Sequence, residues 1–344
     1  MKILYAVQAT GNGHISRATQ LLPYLQRFGK VDVFLSGANS QLQNELPVRF
    51  RSKGLSLFYN NNGGLQYKKL ATQVQPLRLW KEIRELPVEK YDVVINDFEC
   101  ITSLACGYKK VPSVNFGHQA SFQSPLVPRP AKKDLMGEFL LKNFAKASQY
   151  IGLHFDSYDD FIFSPVIKKE ILQATPRNLG HFTVYLSAFS DAFLLKHFHQ
   201  LASFRFEVFS KSVKKATTIG NVTLMPVNQR GFNDSMINAY GVITGAGFET
   251  PAEVLHLGKR LLVIPIKGQY EQLCNAAALE AMGVTVLKQI DDRFSDAILN
   301  WIGLGKLVSK LYSNNIPELL NYLMDNYPQK GVSLDLLYPE MMLG

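Results

Sequence analysis

Apolar runs of strand length alternate with stretches of helical period along nearly the whole chain. The pattern predicts buried strands over residues 2–8, 30–36, 91–96, 112–116 and 150–154. Between them it predicts helices over 15–28, 75–86, 99–108 and 133–147. The alternation then breaks at 156–180, where Pro165 and Pro176 interrupt regular structure and no core strand is expected. A second series follows, with strands over 182–187, 204–209, 222–225, 241–244, 260–266 and 284–287. Its helices are expected over 192–200, 229–238, 251–257, 270–281 and 316–326. Strand–helix alternation of this kind builds parallel sheets covered on both faces. The expected fold class is therefore α/β, with two Rossmann-like parallel-sheet domains facing each other across a cleft. Residues 1–160 form the first, 161–180 a linker, 181–326 the second, and 327–344 a tail that crosses back to the first domain or frays.

The most informative chemistry lies in the second half. Strand 241–244 runs into Gly245-Ala246-Gly247 and a helix; strand 260–266 runs into Gly268-Gln269 and another helix carrying Glu271, Gln272 and Asn275. Two helix N-termini then open on one cleft beyond the carboxyl ends of neighbouring strands, an arrangement suited to phosphorylated ligands. The opening strand similarly leads into Gly11-Asn12-Gly13-His14. A dinucleotide fingerprint needs a third glycine, where this chain has Ser16, and an acid ending the second strand, whereas Asp32 begins it. A dehydrogenase is thereby disfavoured. His14 is placed to act as a general base, and Asp97, at the end of the strand over 91–96, to orient its ring. The plainer alternative has His14 capping its helix and Asp97 opening the next. His118, after the strand over 112–116, reads as an alternative base, an acceptor contact or a buried structural residue.

Composition narrows the partners. The 344 residues carry a formal net charge of +9, and basic clusters such as Lys132-Lys133 and Lys211-Lys214-Lys215 favour anionic partners. No basic motif interleaved with aromatics argues for nucleic acid. The three cysteines, Cys100, Cys106 and Cys274, lack zinc-site spacing, and no apolar run reaches membrane-spanning length, so a cytoplasmic protein is expected.

The segments GNGHISR, DVVINDFE and GAGFETPAEVLHLGKRLLVIPIKGQYEQLCNA, in this order, resemble the GT-B-fold glycosyltransferases, most closely the family 28-like group that includes the peptidoglycan lipid-linked N-acetylglucosaminyltransferase. The resemblance implies an inverting, metal-independent transfer from a nucleotide-sugar, a UDP-sugar for preference, to a lipid-linked, glycolipid or cell-envelope saccharide, without a cofactor. Apart from the resemblance, residues 60–86, with Gly63-Gly64 and an aromatic-basic helix, and residues 122–141 are candidates for docking peripherally on the inner membrane face, with a purely structural role as the alternative. By matching position, Gly245, Gly247, Phe248, Glu249 and Thr250 would present backbone N–H groups to the diphosphate, and Glu253 would accept from the ribose. Gln269, Glu271 and Gln272 would contact the donor sugar with Asn275 in support, and the backbone at 225–227 would pair with the base. Gly11, Asn12, Gly13 and His118 would belong to the acceptor side. Asp97-Phe98-Glu99 superficially resembles an acidic metal motif, but its place before a helix assigns Asp97 to His14. The donor loop departs from the peptidoglycan enzyme in its order of acid and amide, so the donor sugar does not carry over. A non-hydrolysing sugar-nucleotide epimerase and a non-catalytic nucleotide-sugar sensor are the competing readings.

Overall fold

A computed structural model describes residues 1–9, 12–37, 46–54 and 75–327. In the first half the chain forms β1 (Lys2–Gln8), α1 (Asn12–Leu25), β2 (Lys30–Ser36), β3 (Val48–Ser52), α2 (Pro76–Glu85), β4 (Val93–Asp97), α3 (Cys100–Lys109), β5 (Val114–Gly117), α4 (Leu135–Asn143), β6 (Gln149–Leu153) and β7 (Ile162–Phe163). A short helix α5 (Lys169–Leu172) leads into the second half. There follow β8 (His181–Tyr185), α6 (Asp191–Phe198), β9 (Arg205–Ser210), β10 (Thr217–Ile219), β11 (Val222–Pro226), α7 (Gln229–Asn238), β12 (Gly241–Thr244) and α8 (Glu249–His256). The described chain closes with β13 (Arg260–Val263), α9 (Tyr270–Ala281), β14 (Thr285–Val286), α10 (Phe294–Leu304) and α11 (Ile316–Asp325).

Two seven-stranded sheets result, ordered β3-β2-β1-β4-β5-β6-β7 and β10-β11-β9-β8-β12-β13-β14. The first is parallel throughout. In the second, only the β10–β11 edge pair is antiparallel. Residues 3–7 of β1 are fully buried, which is why that strand reads as an unbroken apolar run. In each sheet the strand order reverses about one strand, β1 in the first and β8 in the second. Open α/β sheets bind ligands at such reversals, outside the carboxyl ends of the strands. Val7 pairs in register with Asp97 at one, and Tyr185 with Thr244 at the other. The glycine turn after β12 starts at the second of these points, and α1 begins near the first.

The last described helix returns to the first sheet. Tyr322 packs its ring on Phe163 at 5.1 Å, Asn315 donates to the Ser164 carbonyl at 2.9 Å, and the Tyr327 hydroxyl accepts from the Val94 N–H at 3.0 Å. These contacts come from α11, from Asn315 before it and from Tyr327, the first residue of the expected tail; residues 328–344 lie outside the described residues.

Several element bounds differ from the sequence expectation for local reasons. The helix expected over 133–147 is only α4, because Asp134 accepts from the Met136 N–H and fixes the start at Leu135. Strand β13 stops at Val263, two residues before Pro265, which has no N–H for a ladder. Strand β3 has an intermediate–exposed alternation rather than a buried run, and α10 buries only Phe294, Ile298 and Trp301. Neither element was predicted. No helix among the described residues is long and apolar enough to cross a membrane.

Candidate active site

The first sheet and helix α1 assemble a charged cluster at their common edge. His14 stands in the first turn of α1, and its Nδ1–H donates to Asp97 Oδ1 at 2.8 Å, so the sequence-predicted pair is in contact. Phe98, next to Asp97, adopts φ 55°, a left-handed conformation costly for a side chain with a Cβ. The turn sends Glu99 away from the site. Its carboxylate caps α3 by accepting from the Ile101 and Thr102 N–H groups at 2.9 and 2.6 Å. This local capping explains the second acid of the Asp-Phe-Glu motif.

Sequence reasoning missed Arg17. It lies three residues beyond His14, on the same helix face, and is 3% exposed. Its Nε and Nη2 donate to the two Asp97 oxygens at 3.0 and 2.7 Å. Its Nη1 donates to Glu249 Oε1 across the cleft. Gly117 is what lets the guanidinium in: a Cβ there would stand 2.9 Å from Asp97 Oδ1 and 3.1 Å from Arg17 Nη2. Gly13 does the same for Glu249, whose Oε2 lies 2.5 Å from where a Gly13 Cβ would be. The signal was present in GNGHISR, because a basic residue at i+3 from the candidate base shares its surroundings.

Electrostatics follow from this packing. Burial pushes Asp97 toward its neutral form, but the Arg17 and His14 charges and their hydrogen bonds bring it down to about 2. Burial also disfavours charged His14, yet the Asp97 carboxylate and its hydrogen bond outweigh that and raise its pKa, with Arg17 opposing and Glu249 assisting. With Nδ1–H held by Asp97, the neutral ring keeps its lone pair on Nε2, the form a general base requires.

The second half supplies two adjoining cavities. One is lined by Gly245, Gly247, Thr250, Gln272 and the chain after β8. The other lies between the halves, where Gly13, Ser16 and Lys168 face Val227, Phe232, Glu249 and Thr250. Thr250 lies in both, and Glu249 opens α8 at their junction. Gln272 accepts from the Ile266 N–H at 3.0 Å and so stays against the glycine turn.

Other sequence-predicted residues are placed differently. His118 is 1% exposed, with Nδ1 donating to the Leu153 carbonyl at 3.0 Å and Nε2 lying 2.8 Å from the Asn275 side-chain amide. Burial lowers its pKa. This is the buried placement in the seam between the halves that the structural reading of His118 expects. Asn275 is fully buried and donates to the Ala246 carbonyl at 3.1 Å, bracing the glycine turn from behind. Glu271 accepts from Gln119 at 3.1 Å, and the Tyr270 hydroxyl donates to Glu138 at 3.0 Å, so this end of the expected sugar-reading turn fastens the two halves together. Phe248 is 4% exposed and turns its ring inward onto His118. Glu253 is 1% exposed and bound by Lys168 at 3.0 Å; burial raises its pKa and Lys168 offsets part of the rise. Of the pair, Lys168 lines the cavity between the halves, and Glu253 lies buried behind it. Gln269 occupies the position before α9. Gly11 and the Asn12 side chain lie outside the described residues.

A family model described as glycosyl transferase family 1 matches residues 1–302. No curated protein matches the chain. Among solved structures, a spinosyn forosaminyltransferase, SpnP, is similar at 14% identity and a TM-score of 0.53, over 94% of this chain and 98% of that one. Phytolacca americana UGT2, complexed with UDP-2fluoro-glucose and pterostilbene, is similar at 13% identity and 0.55, over 98% and 97%. The Streptomyces sp. SF2575 glycosyltransferase SsfS6, complexed with thymidine diphosphate, gives 14% and 0.52, over 94% and 99%. At these identities the likeness is one of fold, and the fold is GT-B.

Proposed function

The chain belongs to glycosyl transferase family 1, and from that premise we propose that it moves a sugar from a nucleotide-sugar to an acceptor hydroxyl with inversion at the anomeric carbon. The single observation that carries this reading is the His14–Asp97 pair facing, through Glu249, the glycine turn at the start of α8. His14 Nε2 takes the proton from the acceptor hydroxyl as its oxygen attacks the anomeric carbon. The bond from that carbon to the diphosphate oxygen breaks, and the nucleoside diphosphate leaves with the electron pair. Backbone N–H groups at Gly247, Phe248, Glu249 and Thr250, with the helix dipole behind them, stabilise the growing phosphate charge. Val227 and Phe232 form an apolar wall for the base, and the Lys168–Glu253 pair lies near enough to serve the ribose. Gln272, beside Gly245, is the side chain of the second turn best placed for the donor.

In this reading residues 1–160 hold the acceptor and 181–326 the donor. The family match is to family 1; the likeness to the family 28 group rests only on the three segments GNGHISR, DVVINDFE and GAGFETPAEVLHLGKRLLVIPIKGQYEQLCNA. A lipid-linked or glycolipid acceptor is favoured by the apolar face of α4, where Leu135 and Phe139 are 82% and 59% exposed. The same helix meets the donor half, with Gly137 packed on Tyr270. Exposed Lys132 and Lys133 suit this face to a peripheral membrane contact. Titration with a panel of nucleotide-sugars, followed by product detection on a saccharide-lipid acceptor series, tests the reading. Donor-dependent transfer is expected; donor binding without any transfer or hydrolysis would favour a sensor instead.

A further inference from the structure

One acid in the cluster has no part in the reaction as written: the Glu249 side chain. It starts α8 in the donor half, yet its carboxylate crosses the cleft to Arg17 and to the first turn of α1 beside Gly13. The charged groups facing His14 are Asp97 from β4, Arg17 from its own helix and Glu249 from α8. Tyr5, on β1 beneath them, is held neutral by burial.

Arg17 creates a difficulty for a base at His14. Its Nη2 lies 3.1 Å from His14 Nδ1, and both groups donate to the same oxygen, Asp97 Oδ1. Asp97 alone would be neutralised by Arg17, leaving no net negative charge to receive a proton on His14. With Glu249 counted, two carboxylates face one guanidinium. The cluster is then net negative while His14 is neutral, and becomes neutral once His14 takes up a proton. Without Glu249, protonation would leave a net positive charge in a site where Arg17 and Asp97 are almost wholly buried, which is unfavourable.

We propose that Glu249 is a positioning residue of the donor half that completes the charge balance of the His14 base, so that the base reaches full strength only when the two halves are docked. The inference rests on His14 being the base. It extends that reading by giving the first residue of α8 a side-chain role besides its backbone N–H. Coupling is direct, because the same residue lies in the turn assigned to the leaving diphosphate. A hydroxyl is then deprotonated most readily when the donor turn is in place.

The test follows the His14 ring by NMR across pH in the free enzyme, with the resonance assigned by its loss in His14→Ala. Glu249→Gln keeps the size of the side chain and removes its charge; Glu249→Asp keeps the charge. In E249Q the His14 titration is expected to move down by roughly 0.5–1 pH unit. The acidic limb of the kcat profile should move with it, and the plateau should fall about threefold to tenfold as the base weakens. Glu249→Asp should restore the titration toward wild type. An unchanged His14 titration in E249Q, with the fold intact by circular dichroism, would overturn the proposal. Transfer that survives in His14→Ala would instead overturn the assignment of the base. The NMR result is independent of turnover, so the two failures are distinguishable.

Discussion

His118 of the first half and Phe248 of the second lie face to face, with ring centroids 4.0 Å apart and planes 7° from parallel. The stack sits directly behind the glycine turn, and Asn275 ties the same imidazole to the Ala246 carbonyl. The turn is thus clamped from the rear by the first half. Phe248→Ala removes a buried ring from this seam and is expected to cost about 3–5 kcal/mol in chemical denaturation. A cost under about 1 kcal/mol would show that the seam contributes little.

Gly247 faces open space, for a Cβ there would meet nothing within 4 Å. Gly247→Ala should therefore fold with a melting temperature close to wild type. The added methyl group would stand in the space assigned to the diphosphate, so nucleoside diphosphate affinity should fall by about tenfold or more, roughly 1.4 kcal/mol. Calorimetric titration reads the affinity. A variant that binds as well as wild type would move the phosphate site away from this turn.

Lys168 and Glu253 form an ion pair in which the acid is 1% exposed. Lys168→Met leaves that carboxylate buried without its counter-charge, at an expected cost of about 3–5 kcal/mol at neutral pH. The sign with pH is definite. A carboxyl group whose folded pKa lies above its unfolded value contributes stability below the unfolded value and loses it as pH rises through the folded one. Glu253 is already raised by burial, and loss of Lys168 raises it further. The variant's deficit relative to wild type should therefore shrink on acidification from pH 8 to pH 5, measured by denaturation at each pH. A deficit independent of pH would contradict the ion-pair account.

Much of the fold was legible because its strands are buried on both faces and read as apolar runs; α7 and α9 match their predicted bounds. Less legible were elements with one wet face, such as β3, and the early return of α11, which depends on distant partners such as Phe163 and Ser164. At the site, His14 and Asp97 could be brought together because one follows β1 and the other ends β4, neighbouring strands of one parallel sheet. Arg17 was marked locally only by its i+3 spacing from His14; its partners lie 80 and 232 residues away, and the Lys168–Glu253 contact spans 85, separations that no local pattern encodes. The same cause sets Glu271, expected at the donor sugar, against Gln119 of the first half, and joins His118 to Asn275, for which a buried structural role and a supporting role were already among the expectations. Their polarity suggested a site, and only the packing reveals that they satisfy one another.

The most direct test of the central claim is single-turnover transfer by His14→Ala at saturating donor, beside a measurement of donor affinity. The account predicts affinity within about twofold of wild type and a transfer rate lower by about 10²–10⁴-fold, the usual contribution of a general base. A transfer rate within about threefold of wild type, with the donor still bound, would contradict it.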